Sequence, residues 1–311
     1  MVANPADTVA NDIVELANKK TRTLWGDAWR RYKRHRLAIF GTIVIAFITI
    51  GVLVGPSLWT LNREELDFAT ILSPPIWAHP FGTDDLGRDQ FARAIYGGRI
   101  SMSVGFAAML IAVSLGTLIG AVSGYLGGYT DEVLTFITNL FLSLPTLPLL
   151  LLTVYLFRDS VTAKLGLELG IFVIVVVMVG ILAWMQTARV VRAQFISLKQ
   201  KEFVEAAICV GVKQSGIMFK HILPNAMSPV IVAATLEIGN AILSESTLSF
   251  LGIGFPPDTP TWGRLVTDGS QFLQTAWHLS LIPAALIFVT VLSINFMGDG
   301  LRDALDPRSR L

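Results

Sequence analysis

Cysteine is almost missing from this 311-residue sequence: Cys209 stands alone, so no disulfide can form within the chain. Charge is scarce too, at 15% Asp, Glu, Lys and Arg against 53% apolar residues, with a mean hydropathy of +0.61. A water-soluble domain needs more charge than that to cover its surface, so lipid is the expected solvent for much of the chain. No G-x-x-x-x-G-K-[ST] loop occurs, which removes the usual cradle for nucleotide phosphates. No nucleophile-elbow sequence with His and Asp partners is found either. The four histidines, His35, His79, His221 and His278, are scattered, and none pairs with a carboxylate at helical spacing, so no metal site is expected. A net charge of +1 points to neither nucleic acid nor an acidic partner.

What the sequence does have is long apolar runs. Six of them, over residues 37–59, 100–125, 132–157, 169–188, 227–252 and 277–298, reach the roughly 20 residues that span a bilayer as a helix. The expectation is an all-α polytopic membrane protein. The second and third runs are separated only by Gly127-Gly128-Tyr129-Thr130-Asp131, which predicts a helical hairpin. Segments 1–36, 189–226 and the C-terminus carry seventeen of the 24 Lys and Arg residues, and the intervening loops carry seven. By the positive-inside rule both termini are cytoplasmic. The polar, basic first 36 residues are too long for the n-region of a signal peptide and no A-x-A-like cleavage site follows, so the first run is read as a retained span.

The expected plan is a cytoplasmic N-terminal segment (1–36), a first span (37–59), an outer loop (60–98), a core of five spans (99–300) and a cytoplasmic tail (301–311). Leu24, Trp25, Trp29 and Tyr32 among the basic N-terminal residues fit either an amphipathic helix on the inner membrane surface or a plain basic flank. In the second span Ala108, Ala112, Gly116, Gly120 and Gly124 recur every four residues, a small-residue stripe along which helices approach closely in lipid. It serves either packing within one bundle or a face between subunits. Pro145 and Pro148 predict a kink in the third span. No inverted repeat between the halves is evident, which weighs against an ion-driven secondary transporter.

The stretch 189–226 is too long for a mere connection. Its centre, Phe203-Val204-Glu205-Ala206-Ala207-Ile208-Cys209-Val210-Gly211, ends in a glycine suited to a helix terminus, and Pro224 sits where another span should begin. This predicts helix, tight turn, helix, with Phe203, Val204 and Ile208 as apolar knobs. Cys209 is read as a small apolar residue.

The run E-A-A-x-x-x-G (205–211), followed by the I-L-P that ends at Pro224, resembles the EAA loop of ABC importer permeases. H-P-F-G-T-D-D-L-G-R-D (79–89), I-Y-G-G-R-I-S (95–101), L-S-F-L-G-I-G (248–254), P-T-W-G (260–263) and G-D-G-L-R-D-A-L-D-P-R (298–308) are similar to the signatures of oligopeptide, dipeptide and nickel permeases. Residues 23–31 are most similar to the C-type subunit. The resemblance implies a type I importer permease fold with a cytoplasmic coupling helix. It also implies a homologous second permease and two ATP-binding subunits that hold ATP and magnesium, with no cofactor on this chain. An extracytoplasmic solute-binding protein would deliver peptide cargo, with nickel or glutathione as alternatives, in a bacterial inner membrane. Phe203, Val204, Glu205, Ala206, Ala207, Ile208, Gly211 and Pro224 would form the coupling element. One departure stands out: where the family places an Arg and then an acid early in the third span, this chain has Thr135-Phe136-Ile137-Thr138-Asn139.

Charges at membrane depth are costly and normally face the bundle interior or water. Glu237, Asn240, Ser244 and Thr247 follow one another at steps of three and four, a polar face in an otherwise apolar span. This face is expected to line a translocation path, with Ala241 beside it leaving room; for Glu237 a buried contact between helices is the alternative. Glu245 is expected either on the path near its outer end or in a structural hydrogen bond. Asp299 is expected to end the sixth span.

Overall fold

The computed structural model describes residues 24–305; residues 1–23 of the N-terminal segment and 306–311 of the tail lie outside it. Regular structure among the described residues is helical: α1 (Leu24–Tyr32), α2 (Arg36–Leu58), α3 (Gln90–Leu126), α4 (Gly128–Ser143), α5 (Thr146–Leu165), α6 (Leu167–Ile181), α7 (Trp184–Leu198), α8 (Glu202–Cys209), α9 (Gln214–Phe250), α10 (Trp262–Ser270) and α11 (His278–Leu305). Six of these helical segments are long and apolar enough to cross a membrane, with α6 and α7 forming one of them.

The helices exceed the apolar runs because caps and polar turns extend them beyond the hydrocarbon. α3 begins at Gln90, ten residues before its apolar run, since the Asp89 side chain accepts a hydrogen bond from the Ala92 N–H at 2.6 Å and caps it. At 37 residues it is about 55 Å long, more than a bilayer core requires. Likewise α11 runs on to Leu305, so Asp299 lies exposed within the helix instead of ending it. The third span departs most from expectation. The residue before a proline disfavours α conformation, and at Leu144-Pro145 the chain breaks completely, leaving α4 and α5 as separate helices. The apolar span is 146–165, displaced from the expected 132–157. Pro148 is accommodated in the first turn of α5, where backbone N–H groups have no helical partner anyway.

α3 is the central helix, packed against α6, α7 and α9. The small-residue stripe meets α6 and α7 of the same chain. A Cβ on Gly116 would lie 2.6 Å from the Trp184 carbonyl, and one on Gly124 would lie 2.6 Å from that of Arg192. Gly120 abuts the Ala188 carbonyl. Ala108 and Ala112 are fully enclosed, Ala108 in a core with Ile174, Val175 and Leu248. The close approach is therefore used within one bundle.

Proline in α2 exposes a second device. Pro56 has no N–H, so the Val52 carbonyl loses its helical donor. Arg99 of α3 supplies the replacement, with Nε 2.8 Å from the Val52 carbonyl and a terminal nitrogen 2.5 Å from that of Leu53.

Both ends of the bundle are distinct. At one end ion pairs tie the loop before α3 to α10: Arg88 to Asp84 at 2.7 Å, Arg264 to Asp268 at 2.9 Å, and a buried Arg93 of α3 between Asp84 and Asp268. Burial holds the Asp268 carboxyl above its ordinary range, against the opposing pull of Arg264 and Arg93. At the other end α1 lays Ala28 and Tyr32 against Ala304 of α11, and Ser228 of α9 bonds the Leu305 carbonyl at 3.4 Å. The described basic residues Arg30 and Arg31 of α1 and Arg302 of α11 lie at this second end.

Candidate coupling site

The expected long loop 189–226 is nearly all helix: the end of α7, the eight residues of α8 and the start of α9. α8 begins with Glu202 and Glu205, exposed acids in the first turn that favour the positive end of a helix. It ends in a Schellman motif. The Gly211 N–H donates to the Ile208 carbonyl at 2.9 Å, and the Val212 N–H donates to the Ala207 carbonyl at 3.1 Å. Gly211 sits at φ +80, the left-handed conformation that favours glycine, and nothing lies within 4 Å of where its Cβ would be. Gly211→Ala therefore carries backbone strain alone, about 1–2 kcal/mol. Amide exchange at 210–212 should accelerate roughly tenfold while the protein remains folded; unchanged exchange would refute the role of the turn.

The two faces of α8 are different. Val204 and Ala207 are buried, Val204 completely, in a cluster with Phe195, Ile217, Ile222 and Ala226. Phe203, Ala206, Ile208 and Val210 are exposed, Ile208 at 56% and Val210 at 84%. This corrects the sequence reading at Val204, which is not a free apolar knob, and Ala207 of the expected coupling element also packs against its own bundle. The missed member of the outward face is Val210, placed there by the helix end at Cys209.

The mount beneath α8 is polar and specific. Lys199 donates to the Tyr125 carbonyl at 2.6 Å, tying the segment to the end of α3. Arg192 makes a two-pronged contact with Asp131, at 2.5 and 2.7 Å, and Ser123 donates to the same carboxylate. The Arg192 guanidinium holds the Asp131 carboxyl well below the ordinary carboxylate range, opposed in part by burial. The ion pair thus adds stability at neutral pH that is lost only as pH falls below that range. Asn139 of α4 accepts from Arg189 of α7 at 2.8 Å, a second, neutral tie between these helices.

On the start of α9, a π-helical turn at Ile217–Ile222 precedes Pro224. The regular α-helical part begins at Leu223, with Pro224 in its first turn, and follows the π-helical turn without a break. The Asn225 side chain donates to the His221 carbonyl at 2.7 Å, satisfying an acceptor in this irregular turn.

The polar face of α9 divides in a similar way. Asn240 is exposed, Ser244 and Thr247 are partly exposed, and Glu237 is buried at 8%. Ser244 and Thr247 each donate to the carbonyl four residues back, at 2.8 Å. Ala241, expected beside this path, is enclosed instead, and Glu245, read either as a path residue or as a hydrogen-bonding brace, takes the second arrangement. Ala241 belongs to the apolar core. Glu245 is fully buried, accepting from Ser101 at 3.0 Å and from Ser249 at 2.8 Å. The Ser101 oxygen also accepts the Trp262 N–H at 3.2 Å, so one carboxylate joins α3, α9 and the start of α10.

Comparison with known proteins places this architecture. Residues 116–311 match the family described as the inner membrane component of binding-protein-dependent transport systems, and residues 23–75 match the N-terminal transmembrane domain of oligopeptide transport permease C. The oligopeptide transport system permease protein OppC of Escherichia coli K12 is 42% identical over all of both chains. That of Haemophilus influenzae is 40% identical, covering 96% of this chain and 93% of its own. The dipeptide transport system permease protein DppC of Alkalihalophilus pseudofirmus is 38% identical over 92% and 90%. The fold is similar to that of the inward-facing MetNI methionine ABC transporter, with a TM-score of 0.51 at 18% identity over 68% of this chain and 94% of the other. The chain belongs to the permease subunits of ABC importers, a multi-pass membrane component of a transporter and not an enzyme, in the group that contains the oligopeptide permease C proteins.

Proposed function

We propose that this permease forms half of a pore for peptides in a bacterial inner membrane and that α8 couples the pore to an ATP-binding subunit. The observation that carries the coupling reading is the split of α8 into a buried edge, Val204 and Ala207, and an exposed apolar edge, Phe203, Ala206, Ile208 and Val210. An apolar surface on a rigid, salt-bridged mount at a basic end of the bundle suits a cleft in a partner protein. Both termini then face the cytoplasm, as the charge bias indicates. Gly211 and Pro224 shape the element, and Glu205 favours its first turn.

In this reading a second, homologous permease closes the pore, two ATPase subunits hold ATP and magnesium below it, and a solute-binding protein docks on the outer loops. The names of the relatives favour peptide over the nickel and glutathione alternatives. ATP binding biases the two conformations differently, and α8 transmits that bias mechanically. Reconstitution with the cognate ATPases and binding protein tests this: peptide-loaded binding protein should stimulate ATP hydrolysis and drive peptide uptake. Uptake that proceeds without the ATPases would overturn it.

The polar face of Glu237, Asn240, Ser244 and Thr247 lines the path. Glu237→Ala should change uptake rate or cargo range several-fold while the binding of ATPase subunits stays at the wild-type level. Unaltered transport by this variant would remove Glu237 from the path.

A further inference from the structure

The face of α9 opposite the polar one points at a cleft. Ile238 and Ile242 lie two residues from Asn240 and Ser244, about 200° round the helix. They look into a cavity of about 590 Å³ between α2, α3, α9 and α11, lined by Ile45, Thr49, Met102, Phe106 and Ile294 among others. This volume lies in the range of small-molecule sites. Toward the outer end, a second cavity of about 300 Å³ is lined by Pro56, Trp59, Asn62, Arg63 and Tyr96.

The two cavities follow the same helix faces, through Thr49, Val52 and Pro56 on α2 and Tyr96, Arg99 and Met102 on α3, residues three or four apart. One is apolar and lies within the spans, and the other is polar and lies at their outer end. In the upper chamber the Arg63 guanidinium lies 3.6 Å from the centre of the Tyr96 ring. Glu64, 63% exposed, contacts one edge of it at 2.9 Å. The remaining terminal nitrogen, Nη1, is buried without a hydrogen-bond partner. Arg99, between the chambers, spends donors on the two neutral carbonyls of α2, and among the described residues no carboxylate forms an ion pair with it.

We infer that this cleft binds an anionic phospholipid of the outer leaflet, with one acyl chain along Ile45, Phe106 and Ile294 and the phosphate on Arg63. A buried donor left unsatisfied is costly, and a phosphate oxygen satisfies it with a charge-assisted bond. The order of apolar chamber, basic residues and Trp59 along the helices matches the order of chain, phosphate and interface in a leaflet. Bound lipid would stabilise the packing of α2 on the core. That packing otherwise rests on contacts such as Gly41 against the Ser293 backbone.

The test uses the full transporter complex in phosphatidylcholine proteoliposomes containing a trace of phosphatidylglycerol that carries a photoreactive diazirine in its acyl chain. Crosslinks should concentrate on peptides from 45–53 and 102–106; a phosphatidylcholine probe has the same phosphate but a choline that cancels its charge beside Arg63 and Arg99, so it should label them about fivefold less, the scale of one basic side chain facing a net negative head group. Arg63→Gln should lower the phosphatidylglycerol signal to the same degree, and Phe106→Trp should lower it by filling the lower chamber with the head-group site intact. Equal labelling by the two lipids, or labelling unaffected by both variants, would overturn the inference. So would an unlabelled cleft, which would mean that the partner permease covers it.

Discussion

Ile208→Asp should leave the permease folded and inserted but reduce stimulation of ATP hydrolysis by loaded binding protein roughly thirtyfold or more. Ile208 is 56% exposed on α8, so a carboxylate there costs the isolated chain little. Buried against a partner's apolar cleft, it would remove a central anchor and leave a charge desolvated, an effect of 2 kcal/mol or more. The companion variant distinguishes the two faces. Val204→Asp puts a charge into the cluster of Phe195, Ile217 and Ile222, where the cost falls on the permease itself. It should deplete folded protein from the membrane rather than uncouple it. Among the alanines, Ala206 is the position where Trp tests docking, because Trp at the buried Ala207 would overpack the mount. Full stimulation in Ile208→Asp would mean that α8 is not the coupling helix.

The second large effect concerns Glu245. Glu245→Leu should destabilise the detergent-solubilised permease by about 2–4 kcal/mol, seen as faster thermal inactivation. The change strips the acceptor from Ser101 and Ser249 together, and each buried donor left unmatched costs about 1–3 kcal/mol. It also loosens the link from Ser101 to the Trp262 N–H at the start of α10. Glu245→Gln keeps one accepting oxygen and should cost clearly less. If Glu245→Leu were as stable as wild type and instead shifted cargo preference, the pore reading of this residue would be restored. Comparing it with Glu237→Ala separates this brace from the proposed path-lining role of Glu237, eight residues away on the same helix.

The composition and the charge bias, taken alone, determined the number of apolar spans and which segments share an end, because insertion energetics depend on residue type averaged over some twenty positions. The EAA-type segment was legible for a different reason: its helix formers and the glycine that takes φ +80 act locally. Side-chain direction was not legible. Val204 and Ile208 are both apolar, and only the packing of α8 on α7 and α9 decides that one is buried and the other exposed. Glu237 and Glu245 are chemically the same, yet three elements converge on Glu245 alone. The small-residue stripe of α3 was open to two uses until α7 was seen to fill it. The break at Leu144-Pro145 could be read as a kink, since proline specifies a lost hydrogen bond but not how far the axis turns. What the tertiary structure decided throughout is which face of each helix meets a neighbour, a long-range contact that no local pattern encodes.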